Sequence, residues 1–195
     1  MNISPVTLEG THVRLAPPDL KYADDLLQAA QPNEIWDYIA SIPGQTLAEM
    51  RAWLGEAVQE TQNGSRIWFI IVRQSDNCAI GATSYMDIHR KDRWVEIGGT
   101  WITPDVWRTP INTECKYLLL RHAFETLGCL RVQLKTDGRN VRSQKAIERL
   151  GAVKEGVLRK HMITRTGFIR DTVMYSVIDT EWQTVKEKLE GFLKG

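Results

Sequence analysis

Three short stretches of the 195-residue sequence combine residue types that can do chemistry. The first runs from Asp105 through Trp107, Arg108, Thr109, Pro110, Ile111, Asn112 and Thr113 to Glu114, where a strand pattern turns into a helical one. Free N–H groups at a helix start point one way and add to the positive end of the helix dipole, so such a turn can seat an anion. Pro110 brings no N–H and must sit where that donor is not needed. The same residues also read as an ordinary capped start, with Asn112 or Thr113 as N-cap. The second stretch is Arg139-Asn140-Val141-Arg142-Ser143-Gln144-Lys145, again at a helix start. Arg139, Arg142 and Lys145 recur every third residue along one helical face, which suits phosphates beside a pocket and solvent elsewhere. Asn140 and Ser143 form either a cap or a polar pair facing a ligand. The third is Glu96, the one acidic residue in the run Trp94–Ile102. A carboxylate among Trp94, Val95 and Ile97 lies on a solvent edge or in a lined cleft, and a partly buried one is a good proton acceptor near neutral pH.

Other groups are weaker candidates. Cys115 falls in the first turn of the helix, where a thiol pKa can drop, but His122 is two turns away and out of reach of direct proton transfer. His12, His89, His122 and His161 form no metal-ligand spacing, so no metal is expected. The cysteines Cys78, Cys115 and Cys129 are odd in number and match no zinc or redox motif, which favours a reducing compartment.

The elements that must position these groups follow from periodicity and punctuation. Residues 6–16 read as a strand pair, and 19–30 as a helix with Leu20, Ala23, Leu26 and Leu27 on one face. Thr46-Leu47-Ala48-Glu49 is a capping-box match opening a helix that Asn63-Gly64 ends. Strands are expected over 67–72, 79–88 and Trp94–Ile102, and Gly98-Gly99 inside the last predicts a bulge. A helix over 112–127, a strand over 130–136 and a helix over 141–150 come next. Strands over 153–164 and 168–178 flank a Thr166-Gly167 turn, and a last amphipathic helix starts near Asp179. Three successive strands suggest an antiparallel meander, and the later strand–helix–strand step suggests one parallel pairing. This is a mixed α+β sheet in one domain spanning 1–195.

With 25 basic and 24 acidic residues the chain lacks the basic excess of a dedicated nucleic-acid binder. No apolar stretch approaches the roughly 20 residues that span a bilayer. The first ten residues lack the basic start and apolar run of a signal peptide, so a cytoplasmic protein without nucleic-acid or membrane partners is expected. Seven Trp must find a core, a pocket or an interface.

Placed in order, these pieces resemble the GNAT superfamily of acetyl-CoA-dependent N-acetyltransferases, in its RimJ/RimL-like branch. The resemblance spans nearly the whole chain. It rests on the opening Leu8-Glu9-Gly10-Thr11-His12-Val13-Arg14-Leu15, on Val95-Glu96-Ile97-Gly98, on Asn112 through Leu120, and on Asn140 through Ser143 followed by Arg149-Leu150-Gly151-Ala152 and Glu155-Gly156. One motif departs: the family's pyrophosphate loop [QR]-x-x-G-x-[GA] aligns with Trp107, Pro110 and Asn112, giving a bulkier loop with one fewer donor.

The resemblance implies a GNAT fold, with mostly antiparallel strands flanked by helices, and acetyl transfer from acetyl-CoA straight to a primary amine. It makes Glu96 the base and, since no Tyr follows Ser143 at the usual position, Ser143 the acid that protonates the departing thiolate. Ile97, Gly98, Gly99, Trp101 and Ile102 would border the pantetheine arm and oxyanion, Asn140 would hold that arm, and Arg108, Thr109, Ile111, Asn112, Thr113, Arg142 and Lys145 would hold the phosphates. An amine acceptor, either a protein N-terminus or a small molecule, would enter between segment 35–43, the strand from Ala79 to His89 and the closing hairpin, with Trp36, Tyr38, Tyr85 and Trp101 as lining. Branch members are often homodimers. A CoA- or anion-binding module without turnover, and a transferase for another acyl-CoA such as succinyl-CoA, stay open.

Overall fold

The computed structural model describes residues 1–39 and 42–194. Its strands form an eight-stranded sheet in the order β1-β2-β3-β4-β5-β6-β8-β7. These are β1 (Leu8–Glu9), β2 (Val13–Ala16), β3 (Ile67–Arg73), β4 (Ala79–His89), β5 (Trp94–Ile102), β6 (Arg131–Asp137), β7 (Val153–Ile163) and β8 (Ile169–Ile178). Every neighbouring pair is antiparallel except β5 with β6, which is the single parallel step that the strand–helix–strand order requires.

Helices α1 (Ala23–Ala29) and α2 (Leu47–Asn63) cover one face over β2–β5. Their buried side chains meet Trp68, Ile70, Val72, Ala82 and Trp101. The capping box at Thr46 and Glu49 is present, and Gly64 ends α2 in the left-handed region at φ 71°. Helices α3 (Pro110–Arg121), α4 (Val141–Leu150) and α5 (Trp182–Lys194) cover the other face and enclose the larger core. The expected helix over 112–127 starts two residues earlier, at Pro110, and changes pitch at His122–Thr126, where Leu127 N–H reaches the His122 carbonyl at 3.0 Å. The Tyr85 hydroxyl donates to the Leu119 carbonyl at 2.5 Å just before that segment, and a side chain inserted into a helix ladder is a usual cause of such a widening.

Buried Glu114 ties α3 to the start of the chain. Its carboxylate accepts from the backbone N–H groups of Thr11, His12 and Val13 at 2.7 to 2.8 Å. A Cβ on Gly10 would lie 2.6 Å from that carboxylate, which accounts for the glycine in the opening motif. Among the described residues no helix is long and apolar enough to cross a membrane.

Candidate active site

The site begins where β5 and β6 part. They pair only from Trp94–Arg131 to Glu96–Gln133, although β5 runs on to Ile102 and β6 to Asp137. The cause is on the β4 side: Ala82 pairs with Trp101 and Ser84 with Gly98, so Gly99 and Thr100 together oppose Thr83. This is the predicted bulge, and Gly99 takes φ 62° within it. A Cβ there would come 2.1 Å from Arg66 Nη2 and 3.1 Å from the Trp68 ring, so only glycine fits. The bulge is pinned from the α3 side, where Thr100 Oγ1 meets Thr83 Oγ1 at 2.8 Å and accepts from Lys116 Nζ at 2.7 Å. Beyond Glu96 the β6-facing edge of β5 has no strand partner, so its backbone groups are available to a ligand.

Glu96 sits at the apex of this opening and is fully buried. Gln133 donates to Oε2 at 2.8 Å, and Lys135 Nζ lies 3.0 Å from Oε1 as an ion pair without hydrogen-bond alignment. Lys135 also stands 3.7 Å from Asp87. Gly98 is explained here too, since a Cβ on it would press on Met86 Sδ at 2.5 Å and Glu96 Oε1 at 3.0 Å. Arg66 lies nearby, donating to Ser84 Oγ at 2.9 Å with its guanidinium 3.7 Å from the Trp68 ring centre. Burial lowers the Arg66 pKa, while Glu60, Glu96 and Asp87 pull it back up. Lys135 and Arg66 were not singled out from sequence. The signal was present for Lys135, because Gln133, Lys135 and Asp137 occupy alternate positions of a strand whose other face is apolar.

The two helix starts meet beside the opening. Thr109, not Asn112 or Thr113, is the N-cap of α3; its hydroxyl accepts from Ile111 N–H at 3.4 Å and donates to the Val106 carbonyl at 2.7 Å. Pro110 occupies the first turn, as its missing N–H requires. Arg108 takes φ 65°, a left-handed conformation costing a residue with a Cβ about 1–2 kcal/mol. Asn140 caps α4, accepting from Ser143 N–H at 3.0 Å, and the Ser143 hydroxyl has no protein partner among the described residues. The Arg142 guanidinium lies 3.8 Å from the Trp107 ring centre and so joins the two starts. Arg108, Arg142 and Lys145 are exposed. Arg139 departs from the expected stripe: it precedes α4 and turns back to Asp137, with Nη2 2.7 Å from Oδ2. Hydrogen bonding to Arg139 outweighs the burial of Asp137 and holds that carboxyl below the usual range.

Several expected lining residues are core instead. Tyr85 is fully buried on the α3 face, its ring edge-on to Phe69 and its hydroxyl committed to Leu119. It cannot line an acceptor channel on the Glu96 face, because adjacent strand residues point to opposite sides and Tyr85 pairs with Ile97. Trp36 is buried too, donating to the Ala30 carbonyl at 2.9 Å and packing on Trp101 at 5.4 Å between ring centres. The side chains of Trp101, Ile97, Ile102 and Ile111 are likewise core, which leaves only their backbones for a ligand. Thr113 is buried, whereas Asn112 is half-buried. Tyr38 remains at the surface side, its ring 5.7 Å from Arg139 Cζ. Segment 35–43 includes Ala40 and Ser41, which lie outside the described residues. Burial pushes the Cys115 thiol up to about 12, so it is no nucleophile.

Compared with known proteins, residues 12–153 match the acetyltransferase (GNAT) domain family. The chain belongs to the GNAT acetyltransferases. An N-acetyltransferase of Bacillus licheniformis, p20, is 25% identical over 90% of this chain and 98% of its own length. The match to the N-acetyltransferase YoaA of Bacillus subtilis is 31% identical but spans 55% of this chain and 60% of YoaA. Among solved structures, a GCN5-related N-acetyltransferase from Brucella melitensis superposes with a TM-score of 0.90 at 29% identity, covering 98% of this chain and 90% of that one. A microcin C7 self-immunity acetyltransferase in complex with acetyl-CoA and AMP shares the fold at 22% identity and a TM-score of 0.79. It covers 87% of this chain and 93% of its own.

GNAT enzymes use acetyl-CoA, and this chain's residues fit it. The unpaired β5 edge suits the amide-rich pantetheine arm, and the two helix starts carry exposed Arg108, Arg142 and Lys145, whose charge suits phosphates carrying about −4 in total. Pro110 brings no N–H to the first turn of α3 and the Ile111 N–H is taken by Thr109, which leaves fewer backbone donors for an anion.

Proposed function

We propose that this GNAT enzyme acetylates a primary amine, with Glu96 as the group that takes the amine's proton and Ser143 as the group that returns one to the leaving thiolate. The observation that carries this reading is the position of Glu96, a buried carboxylate at the apex of the β5–β6 opening. Acetyl-CoA supplies an activated acyl carbon; the chain's own residues handle charge and protons around it. An unperturbed alkylamine is protonated below a pH of about 10.4, so attack needs a proton acceptor close by. Glu96 accepts that proton directly or through a water, and Lys135 with Gln133 fixes its carboxylate in place. Backbone N–H groups between Ile97 and Trp101, freed by the bulge, are placed to hold the developing oxyanion. The Ser143 hydroxyl, without a protein partner among the described residues, is free to pass its proton to the thiolate and regain one from solvent.

The acceptor side in this reading is the face that carries Glu96, bordered by Tyr38, Arg139 and Phe168, whose ring centre is 3.6 Å from Arg139 Cζ. Membership of the RimJ/RimL-like branch, a cytoplasmic setting and a homodimer are part of the same proposal. The free thiols of Cys78, Cys115 and Cys129 support the setting.

Thiol release from acetyl-CoA across a panel of amines and peptides is the test. Wild type should release CoA with at least one acceptor, and Glu96→Gln should lower kcat by about 10²-fold or more while acetyl-CoA still raises Tm. Stabilisation by acetyl-CoA with no release across the panel would favour a binding module, the reading to which the donor-poor start of α3 lends weight.

A further inference from the structure

Arg170 is a charged group on the open face of the sheet that the proposed chemistry does not use. It lies at the second position of β8, is only 7% exposed, and its Nε is screened from solvent with no hydrogen-bond partner. Among the described residues no carboxylate comes within 4.0 Å of it, whereas its charged neighbours are matched. Lys135 pairs with Glu96 and Asp87, Arg139 with Asp137, and Arg131 with Glu155. Arg66 is satisfied by Ser84 and by the Trp68 ring. Burial lowers the Arg170 pKa, Asp137 and Glu96 oppose that, and Arg139 adds to it. A buried guanidinium with an idle donor is costly to keep, and a bound ligand, ion or water is what completes such a group.

Its place in the fold says which ligand. Thr172 pairs with Asp137 across β8 and β6, and Glu96 pairs with Gln133 across β5 and β6. By strand alternation Arg170, Thr172, Asp137, Lys135 and Glu96 therefore share one face. Phe168, two residues before Arg170, carries the Arg139 guanidinium, which also lies near the Tyr38 ring. Arg170 thus stands at the acceptor corner, on the face of the proton-accepting carboxylate.

We propose that Arg170 is the seat of an oxyanion on the acceptor, so that the acceptor is an amine that also bears a carboxylate or phosphate, not a polyamine or a plain alkylamine. The inference rests on the reading of this face as the acceptor side. A guanidinium binds either oxyanion through paired N–H groups. The carboxylates on this face, Glu96, Asp87 and Asp137, are already paired with Lys135 and Arg139, so they are not free to hold a polycation.

Binding of product-like ligands tests this without requiring turnover. N-acetylalanine, its neutral N-methylamide and N-acetylated phosphoethanolamine are titrated against the whole protein with CoA present, by calorimetry. At least one of the two anions should bind tenfold or more tightly than the neutral amide, and the carboxylate and phosphate arms tell the sources apart. Arg170→Gln should abolish that preference, Arg170→Lys should restore part of it, and both should keep the wild-type affinity for CoA. Equal binding of anion and neutral amide by wild type, binding of none of them, or a preference that survives Arg170→Gln would overturn the proposal. Thiol release with the matching free amines is read separately. If no amine is turned over while the anion preference holds, the enzymatic reading falls and the Arg170 site stands.

Discussion

Lys116 shows how a single residue can couple this fold to pH. Its ammonium is buried on the α3 face of β5, and its hydrogen-bond partner is the Thr100 hydroxyl, with no carboxylate within 4.0 Å among the described residues. Burial lowers its pKa from 10.5 to about 8. Below pH 8 both folded and unfolded chains carry the proton, and the fold bears the full cost of a buried charge. Between about pH 8 and 10.5 the unfolded chain holds a proton that the folded one has released, so this group's contribution makes stability rise with pH. Lys116→Met is expected to be more stable than wild type at pH 7 by about 1–3 kcal/mol. The gap should shrink as pH rises from 8 towards 10.5; a constant gap, or a less stable variant at pH 7, would contradict the account. At this scale Glu96 was legible from sequence because a lone carboxylate in an apolar strand is conspicuous. Lys135 and Arg170 were harder to read, because their meaning depends on which strands become neighbours, and β6 and β8 are brought together across α4 and β7. Tyr85 and Trp36 misled for the opposite reason: large aromatics near a site look like lining until alternation and packing assign them to a core.

At the scale of elements, β5 does most to shape the site. Its bounds and its bulge could be read from sequence, since Gly98-Gly99 interrupts an otherwise strand-like run. The depth of the opening could not, because it depends on β6 pairing with β5 over only three residues. The start of α3 differs from the sequence expectation for a related reason: the Thr109 cap puts Pro110 in the first turn, two residues before Asn112. Gly99 gives the strand a direct test. Gly99→Ala must hold φ near 62° with a Cβ directed at Arg66 and Trp68, so a cost of about 1–3 kcal/mol is expected in a urea melt. If the bulge relaxes to relieve that strain, β5 straightens towards β6 and the opening narrows. KM for acetyl-CoA should then rise more than KM for the amine. A variant with wild-type stability and unchanged KM for acetyl-CoA would show that the bulge does not set the opening.

For the molecule as a whole, the distribution of exposed apolar residues gives the proposed homodimer an interface to test. Lys135 and Arg139 are paired with carboxylates, while Arg108, Arg142 and Lys145 stand at the two helix starts. Exposed large apolar residues concentrate on the β7–β8 hairpin, where Val157, Leu158, Ile163, Phe168 and Ile169 are each at least 43% exposed. β7 is also the sheet's last strand, eleven residues long, with one edge unpaired. The β7 edge also carries Lys154, Arg159 and Lys160, so a two-fold contact in the proposed homodimer would rest on the apolar hairpin tip at Ile163 and Ile169. Ile163 and Ile169 face each other across the hairpin at 72% and 52% exposure, so replacing them disturbs little within one subunit. Sedimentation of wild type at micromolar concentration should give twice the chain mass, and Ile163→Lys/Ile169→Lys should sediment as a monomer with its CoA affinity kept. A wild-type protein that stays monomeric as concentration rises would remove the dimer from the proposal. A double variant that still dimerises would move the interface off this hairpin. Arg170 directly follows Ile169, so the separation of these effects matters: loss of the dimer with an intact anion preference would show that the acceptor corner is complete within one subunit.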